Sequence, residues 1–470
     1  MGVVTEPPRT LLRQLGVVSA TALVVSNMVG TGVFTTTGFL AGDLGSAKLI
    51  LLIWIVGGLC AMAGAFCYSE LGINYPKSGG EYYYLTQALG PTWGFMSGWV
   101  SFFAGFSAPI AAAALALSDY LGYFIPALKQ DHPTITLGSG DWAIHLGGAQ
   151  FVASALVVIF TIVNCLGVKK SATLQNALTA LKLLVIAAFI IMGISIGRGD
   201  WAHLSMNANR WTTTPIPAQF AASLFWIYVA YSGWNAATYI AEELKNPTRT
   251  LPLALTLGAA LVAVLYLGLN LVFIYGAPLE QMKGVVAVGS LAASNLFGPR
   301  VAGAFSLLMA LSLMATINAM VTVGPRVYYA MAKNGAFFSG AAKLHPDWHT
   351  PVNAILWQGI CTVLMTVTPF PKLVIYIGFT LNFTAVMAVV SLMVLRHRHP
   401  EWRKLSVVSF AYPLIPVLFL MVGVWITYYG IQLQPVVSAA AAGTIAAGAL
   451  VYRIRVQTRS ASLAHFRGSV

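Results

Sequence analysis

Most of this chain is apolar, so the few places where it can do chemistry stand out. Gly30-Thr31-Gly32 interrupts an apolar run near the start. Ser232-Gly233, between Tyr231 and Trp234, interrupts another near the middle. Glycine weakens a helix by about 1 kcal/mol relative to alanine, and unwound backbone at bilayer depth is tolerated only where it is buried in protein or lines a cavity. Unwinding frees N–H groups on one half-helix and C=O groups on the other. The positive helix end suits a carboxylate, and the freed carbonyls suit an ammonium. Such a site holds a zwitterion without any charged side chain. The competing reading is that these glycines serve close helix packing; their equivalent placement in two halves of the chain favours the site.

Lys182 is the only basic residue deep in an apolar run. A charge there costs at least about 2.5–3.5 kcal/mol on insertion scales, so it must face the interior and find carbonyls, hydroxyls or water. One reading is a fixed cation that holds an unwound segment in place of a metal ion. The other is a lysine near a helix end, about a dozen residues past Lys170. Glu70, Glu81, Glu242 and Glu243 fall at helix ends on the side of the termini and read as gate or loop ion pairs. Asp119, near the outer end of the third run, reads as structural. No carboxylate pair is placed for acid–base hydrolysis. No GxxxxGK[ST] loop occurs, which argues against an ATP-driven pump within this chain. The four cysteines lie in or beside apolar runs without zinc spacing, and histidines such as His132, His203 and His397 are scattered in loops. No metal and no cofactor are expected.

The elements that must position these residues follow from composition. The 470 residues are 58% hydrophobic and 8% charged, with a mean hydropathy of +0.78, whereas soluble domains carry about 25% charged residues. The net charge of +13 sits in short loops, as topology signals and contacts to anionic lipid. No basic–aromatic patch suits nucleic acid. Apolar runs of about 20 residues predict about twelve spans: Leu15–Leu40, Ile50–Leu71, Trp93–Ile125, Ala149–Leu166, Leu174–Ile196, Ala218–Ala241, Leu253–Gly276, Val301–Ala332, Val352–Val367, Leu373–Leu395, Phe410–Tyr429 and Pro435–Val451. The first run is too long for a signal h-region and is read as a retained span. With an even count both termini share one side. Eighteen of the 26 Lys and Arg, among them Arg9, Arg459 and Arg467, fall on that side, seven on the other, and Lys182 within a span. The bias places both termini in the cytoplasm. No loop is long enough for a soluble domain, and the longest outer one, Pro126–Gly148, is polar and Gly-rich.

The order of several short stretches is specific. Val29-Gly30-Thr31-Gly32-Val33-Phe34 is followed by Tyr68-Ser69-Glu70-Leu71-Gly72 and Pro76-Lys77-Ser78-Gly79-Gly80-Glu81-Tyr82. Next come Ser232-Gly233-Trp234-Asn235, Glu242-Glu243-Leu244-Lys245-Asn246-Pro247-Thr248-Arg249, Gly324-Pro325-Arg326-Val327-Tyr328 and Leu395-Arg396-His397-Arg398. In these stretches the chain resembles the amino acid–polyamine–organocation superfamily, and within it the L-type amino acid transporters and their bacterial relatives. The resemblance implies an all-α integral membrane protein of LeuT type. Two inverted five-helix repeats, about 13–198 and about 215–398, would be followed by two extra helices, about 408–455, in one transporter domain with short tails. It implies alternating access, usually with amino acid exchange, in the cell (inner) membrane. By analogy the substrate carboxylate meets the N–H groups of Thr31 and Gly32, beside Gly30. The amino group meets carbonyls of Met28, Val229, Ala230 and Ser232. Trp234 and Asn235 line the pocket, and Tyr266 lies near the substrate. Lys182 matches the lysine that replaces a sodium site, implying sodium-independent transport. Two departures stand out. Val229 occupies a position where animal members often have a capping phenylalanine, and Pro126–Gly148 lacks the cysteine that links a glycoprotein partner. No disulfide-linked heavy chain is therefore expected, and the chain reads as a prokaryotic, self-sufficient transporter.

Spans one, three, six, eight and ten would line the pocket, and no carboxylate is visible in their middle thirds. A cationic side chain would lack a counter-charge and an acidic one would lack an arginine, so a neutral amino acid is the expected substrate. A cationic amino acid or polyamine antiporter of the same fold would be expected to show a buried acid in the pocket. A proton-coupled symporter stays open through Lys182. An amino acid receptor or a membrane enzyme would need an output domain or a catalytic cluster, and neither is visible.

Overall fold

In the computed structural model the described residues are 13, 15–138, 144–166, 168–348 and 350–457. Arg9, Arg459 and Arg467, which entered the charge asymmetry, lie outside them. The first half holds α1 (Val17–Met28), α2 (Thr31–Leu44), α3 (Ala47–Asn74), α4 (Glu81–Leu89), α5 (Pro91–Val100), α6 (Ala108–Leu121), α7 (Gly148–Cys165) and α8 (Val168–Ile196). The second half holds α9 (Ile216–Tyr231), α10 (Pro247–Gly276), α11 (Leu279–Met282), α12 (Val288–Phe297), α13 (Pro299–Lys333), α14 (Val352–Met365) and α15 (Phe370–Arg398). After these come α16 (Ser406–Phe410), α17 (Leu414–Leu433) and α18 (Pro435–Val451).

Proline sets several starts. Pro91, Pro247, Pro299 and Pro435 each open a helix, where the missing N–H is no loss and the fixed φ is already helical. Gly45, at φ +63°, closes α2 in the left-handed conformation. Ten helical stretches among the described residues are long and apolar enough to cross a membrane, which makes this a multi-pass membrane protein. The count of twelve is not reached by length. The ninth expected span, α14, has 14 residues. The sixth, α9, is cut short at Tyr231 and resumes only as a 3₁₀ helix, Ala236–Glu243.

Two details depart from a uniform α reading. Between α5 and α6 the third span widens into a π-helical stretch, Ser101–Ser107, a form often found at functional sites. The loop between α6 and α7 carries a small strand pair, β1 (Ile135–Leu137) with β2 (Ile144–Leu146), antiparallel with Ile135 opposite Leu146. Asp119 holds this loop: Oδ1 accepts the N–H of Gln130 at 3.0 Å, and Oδ2 accepts its side-chain amide.

Packing is layered about the two broken spans. α1 lies on α10, which runs along α3; α2 lies on α9; α13 packs on α6, α8 and α12. The third span is 83% buried inside the protein, whereas the windows of α17 and α18 are 28% buried. These last two helices are therefore the periphery, set against α3, α5, α9 and α15.

Candidate functional site

Both glycine interruptions are real breaks. α1 stops at Met28, Val29 turns tightly so that the Gly30 N–H donates to the Met28 carbonyl at 2.8 Å, Gly30 is extended, and α2 starts at Thr31. The N-terminus of α2 has no side-chain cap and no acid in its first turn, so its leading N–H groups keep the positive end of the helix open to an anion. In the second break Ser232 is extended and Gly233 takes φ +95°, which a Cβ would disfavour. A Cβ on Gly233 would also come within 2.8 Å of the Asn27 carbonyl carbon, and one on Gly32 would run into the Cα and Cβ of Ala230. Each glycine thus lets one break lie against the helix beside the other.

Tyr266 of α10 ties the two breaks together. Its hydroxyl contacts the Met28 carbonyl oxygen at 2.5 Å and that of Ala230 at 2.9 Å. The ring is fully buried, edge-on to Trp54 at 5.3 Å and beside Tyr231 at 5.0 Å. Behind the first break stands Lys182, 0% exposed. Its Nζ donates to the Val29 carbonyl at 2.5 Å and to Thr316 Oγ1 at 2.8 Å, while Thr316 Oγ1 donates to the same carbonyl at 3.0 Å. A cation and a hydroxyl thus hold the broken backbone from behind. A chain of amides and hydroxyls continues alongside. Gln175 Nε2 donates to Ser26 Oγ at 2.6 Å, Thr179 Oγ1 donates to Ser26 Oγ at 3.1 Å, and Asn318 Nδ2 donates to Gln175 Oε1 at 2.9 Å. These bonds fasten α1 to α8 and α13.

A small, partly open cavity of about 50 Å³ lies under the second break. Its wall takes Asn27 from α1, Gly105 and Phe106 from the π-helical stretch, Met320 from α13 and Thr384 from α15, together with the Ser232–Ala236 segment. Spans one, three, six, eight and ten, named from sequence, all contribute to this wall. Ser232, Trp234 and Asn235 line it; Met28, Gly30, Thr31, Gly32, Val229, Ala230, Tyr266 and Lys182 do not. Of the carbonyls expected to receive an ammonium, Met28 and Ala230 already meet Tyr266, and Val229 accepts Ser232 N and Oγ at 3.0 and 2.7 Å.

The acids lie at or near helix ends, as expected, but two of them are buried rather than set in loop ion pairs. Glu70 does form an ion pair, with Arg396 Nε at 3.3 Å, but fully buried and not at a loop surface. Its oxygens also accept Trp402 Nε1 at 2.9 Å and Leu405 N at 3.0 Å. Glu242 pairs with exposed Lys77 at 3.8 Å. Glu81 has no cationic partner among the described residues. It is 5% exposed, lines the cavity, and accepts hydrogen bonds on Oε1 from Tyr68 (2.9 Å) and from the Asn235 amide. The sequence signal for this lay in Gly79-Gly80. Both glycines take positive φ, +116° and +52°, and turn the chain back under the broken sixth span, so that Glu81 enters the bundle instead of staying at its rim.

Comparison with known proteins agrees with this architecture. A family model described as amino acid permease matches residues 15–451. The chain is 30% identical over 453 residues to the large neutral amino acids transporter small subunit 2 of Mus musculus, covering 95% of this chain and 81% of that one. It is 27% identical over 457 residues to the Asc-type amino acid transporter 1 of Mus musculus (96% and 82%). It is 29% identical over 415 residues to the serine/threonine exchanger SteT of Bacillus subtilis (strain 168), covering 87% and 89%.

Proposed function

Because this chain belongs to the amino acid permease family, a family of transporters and not of enzymes, we propose that it exchanges neutral L-amino acids across the cell membrane, without sodium, by alternating access. The observation that carries the reading is Lys182, whose buried ammonium occupies the back of the first break and holds the Val29 carbonyl. A fixed cation there does what a bound sodium ion would do, so no ion need be co-transported at that point. The substrate carboxylate is assigned to the N-terminus of α2 and the amino group to the carbonyls of the second break. In the present conformation Gly32 is pressed on Ala230. Admitting a carboxylate at Thr31 and Gly32 therefore requires the two breaks to part, which suits a cycle in which α1 and the half-helices move against α8, α10 and α13. The two breaks open the first helices of two sets of five, consistent with inverted repeats and both termini in the cytoplasm. Action without a disulfide-linked partner is part of the same reading, since Cys60, Cys67, Cys165 and Cys361 lie within or at the ends of spans and the loop between spans three and four has no cysteine.

The test is uptake of labelled neutral amino acids into proteoliposomes, with and without sodium and with and without internal amino acid. Sodium-independent uptake that requires internal amino acid is the expected result. Uptake that requires sodium, or that proceeds uphill into empty vesicles, refutes the coupling.

A further inference from the structure

The cavity under the second break carries one formally charged side chain, Glu81, and no basic one. Its Oε1 is engaged by Tyr68 and Asn235 and the Tyr239 hydroxyl also approaches the carboxylate, while Oε2 has no well-formed hydrogen bond among the described residues. Three basic residues of the bundle and its rim are committed elsewhere. Lys182 holds Val29 and Thr316, Lys77 is exposed and pairs with Glu242, and Arg396 is spent on Glu70. A buried carboxylate with one poorly satisfied oxygen is costly unless a cation or proton meets it. The rest of the wall suits an organic cation: Phe106, Tyr228, Trp234 and Tyr239 all line it, and aromatic faces attract ammonium groups. The remaining polar lining, Asn27, Ser232, Asn235 and Thr384, supplies hydrogen-bond acceptors for N–H donors. A neutral apolar side chain would use the aromatic wall but neither the carboxylate nor the polar lining.

We propose that this cavity is a side-chain subsite for a primary ammonium group, with Glu81 as its counter-charge, so that amino acids with a short amine-bearing side chain are substrates alongside neutral ones. The inference rests on the transporter reading, in which the α-amino and carboxyl groups are held at the breaks and the side chain enters the cavity. It also reverses the expectation, drawn from sequence, that a cationic side chain would find no acid.

Isosteric pairs test it. In proteoliposomes exchanging labelled alanine at pH 7, 2,4-diaminobutyrate is compared with norvaline, and ornithine with norleucine, as competitors of uptake. In each pair an ammonium replaces a methyl at nearly constant shape. The ammonium member of at least one pair is expected to inhibit at about tenfold lower concentration or better. In Glu81→Gln that ratio is expected to collapse to within about threefold. Equal or better inhibition by the methyl members in the wild-type protein overturns the subsite while leaving amino acid exchange intact, and so does a tenfold preference that survives in Glu81→Gln. Absence of any alanine exchange refutes the transporter reading and the subsite with it. If Glu81→Gln cannot be recovered folded, thermal stabilisation of the wild-type protein by each member of a pair decides instead. Greater stabilisation by the ammonium member supports the subsite, and equal or smaller stabilisation overturns it.

Discussion

Replacing Lys182 with methionine isolates the cation from its packing. Methionine fills a similar volume, so the cavity penalty is small. What disappears is the ammonium and its two hydrogen bonds, at 2.5 Å to the Val29 carbonyl and 2.8 Å to Thr316 Oγ1. Hydrogen bonds from a charged donor contribute about 1.5–3 kcal/mol each. Thr316 Oγ1 still donates to Val29 at 3.0 Å, so the carbonyl keeps a partner and the loss is nearer one such bond than two. If that energy holds the break in its binding geometry, about 1.5–3 kcal/mol becomes roughly a 10- to 150-fold rise in the half-saturating substrate concentration. Removing a buried charge relieves its desolvation, so thermal stability is expected to hold or rise. The assay pairs exchange kinetics in proteoliposomes with thermal unfolding of the same purified variant. Half-saturation within about threefold of wild type, in protein that folds and inserts normally, refutes the role assigned to the cation.

Three other substitutions probe neighbouring contacts. Tyr266→Phe withdraws the hydroxyl between the Met28 and Ala230 carbonyls; leaving a buried acceptor bare costs about 1–3 kcal/mol, and exchange kinetics should show an affinity loss of about 5- to 150-fold. Gly32→Val drives a side chain into Ala230, so uptake should vanish while immunoblotting still finds full-length protein in the membrane; wild-type uptake would mean that the two breaks do not touch. Glu70→Gln leaves Arg396 buried without its partner, a loss of about 3–5 kcal/mol that a thermal-unfolding assay in detergent should register as a clearly lower midpoint, and an unchanged midpoint would show that the pair does not clamp the fold.

Apolar run length placed the spans to within a few residues, since the bilayer demands a fixed helix length and little else. Pro435–Val451 coincides with its helix, and most other ends differ by only a few positions. The breaks were legible because glycine has a local conformational cost that nothing nearby offsets. Lys182 was legible because a charge in hydrocarbon must have a protein partner. Glu81 was not, because its position depends on a turn at Gly79-Gly80 that folds a short helix under the bundle, and run length carries no information about where a loop goes. The π-helical widening at Ser101–Ser107 was equally hidden, since it changes hydrogen-bond register without changing composition. Tyr266 entered only through family resemblance; nothing local in Leu265-Tyr266 says that its hydroxyl reaches two carbonyls on other helices.

The Glu70–Arg396 pair has a consequence for how the molecule is made. Translation delivers the carboxylate with the second span and the guanidinium only at the end of the tenth, while Trp402 and the N–H of Leu405 come later still. During synthesis the early helices must wait in the bilayer with an acid that has no permanent counter-ion, shielded by water, lipid headgroups or the insertion machinery. The final closure of the bundle around Glu70 is therefore a late event, possible only once residues 396–405 have been made.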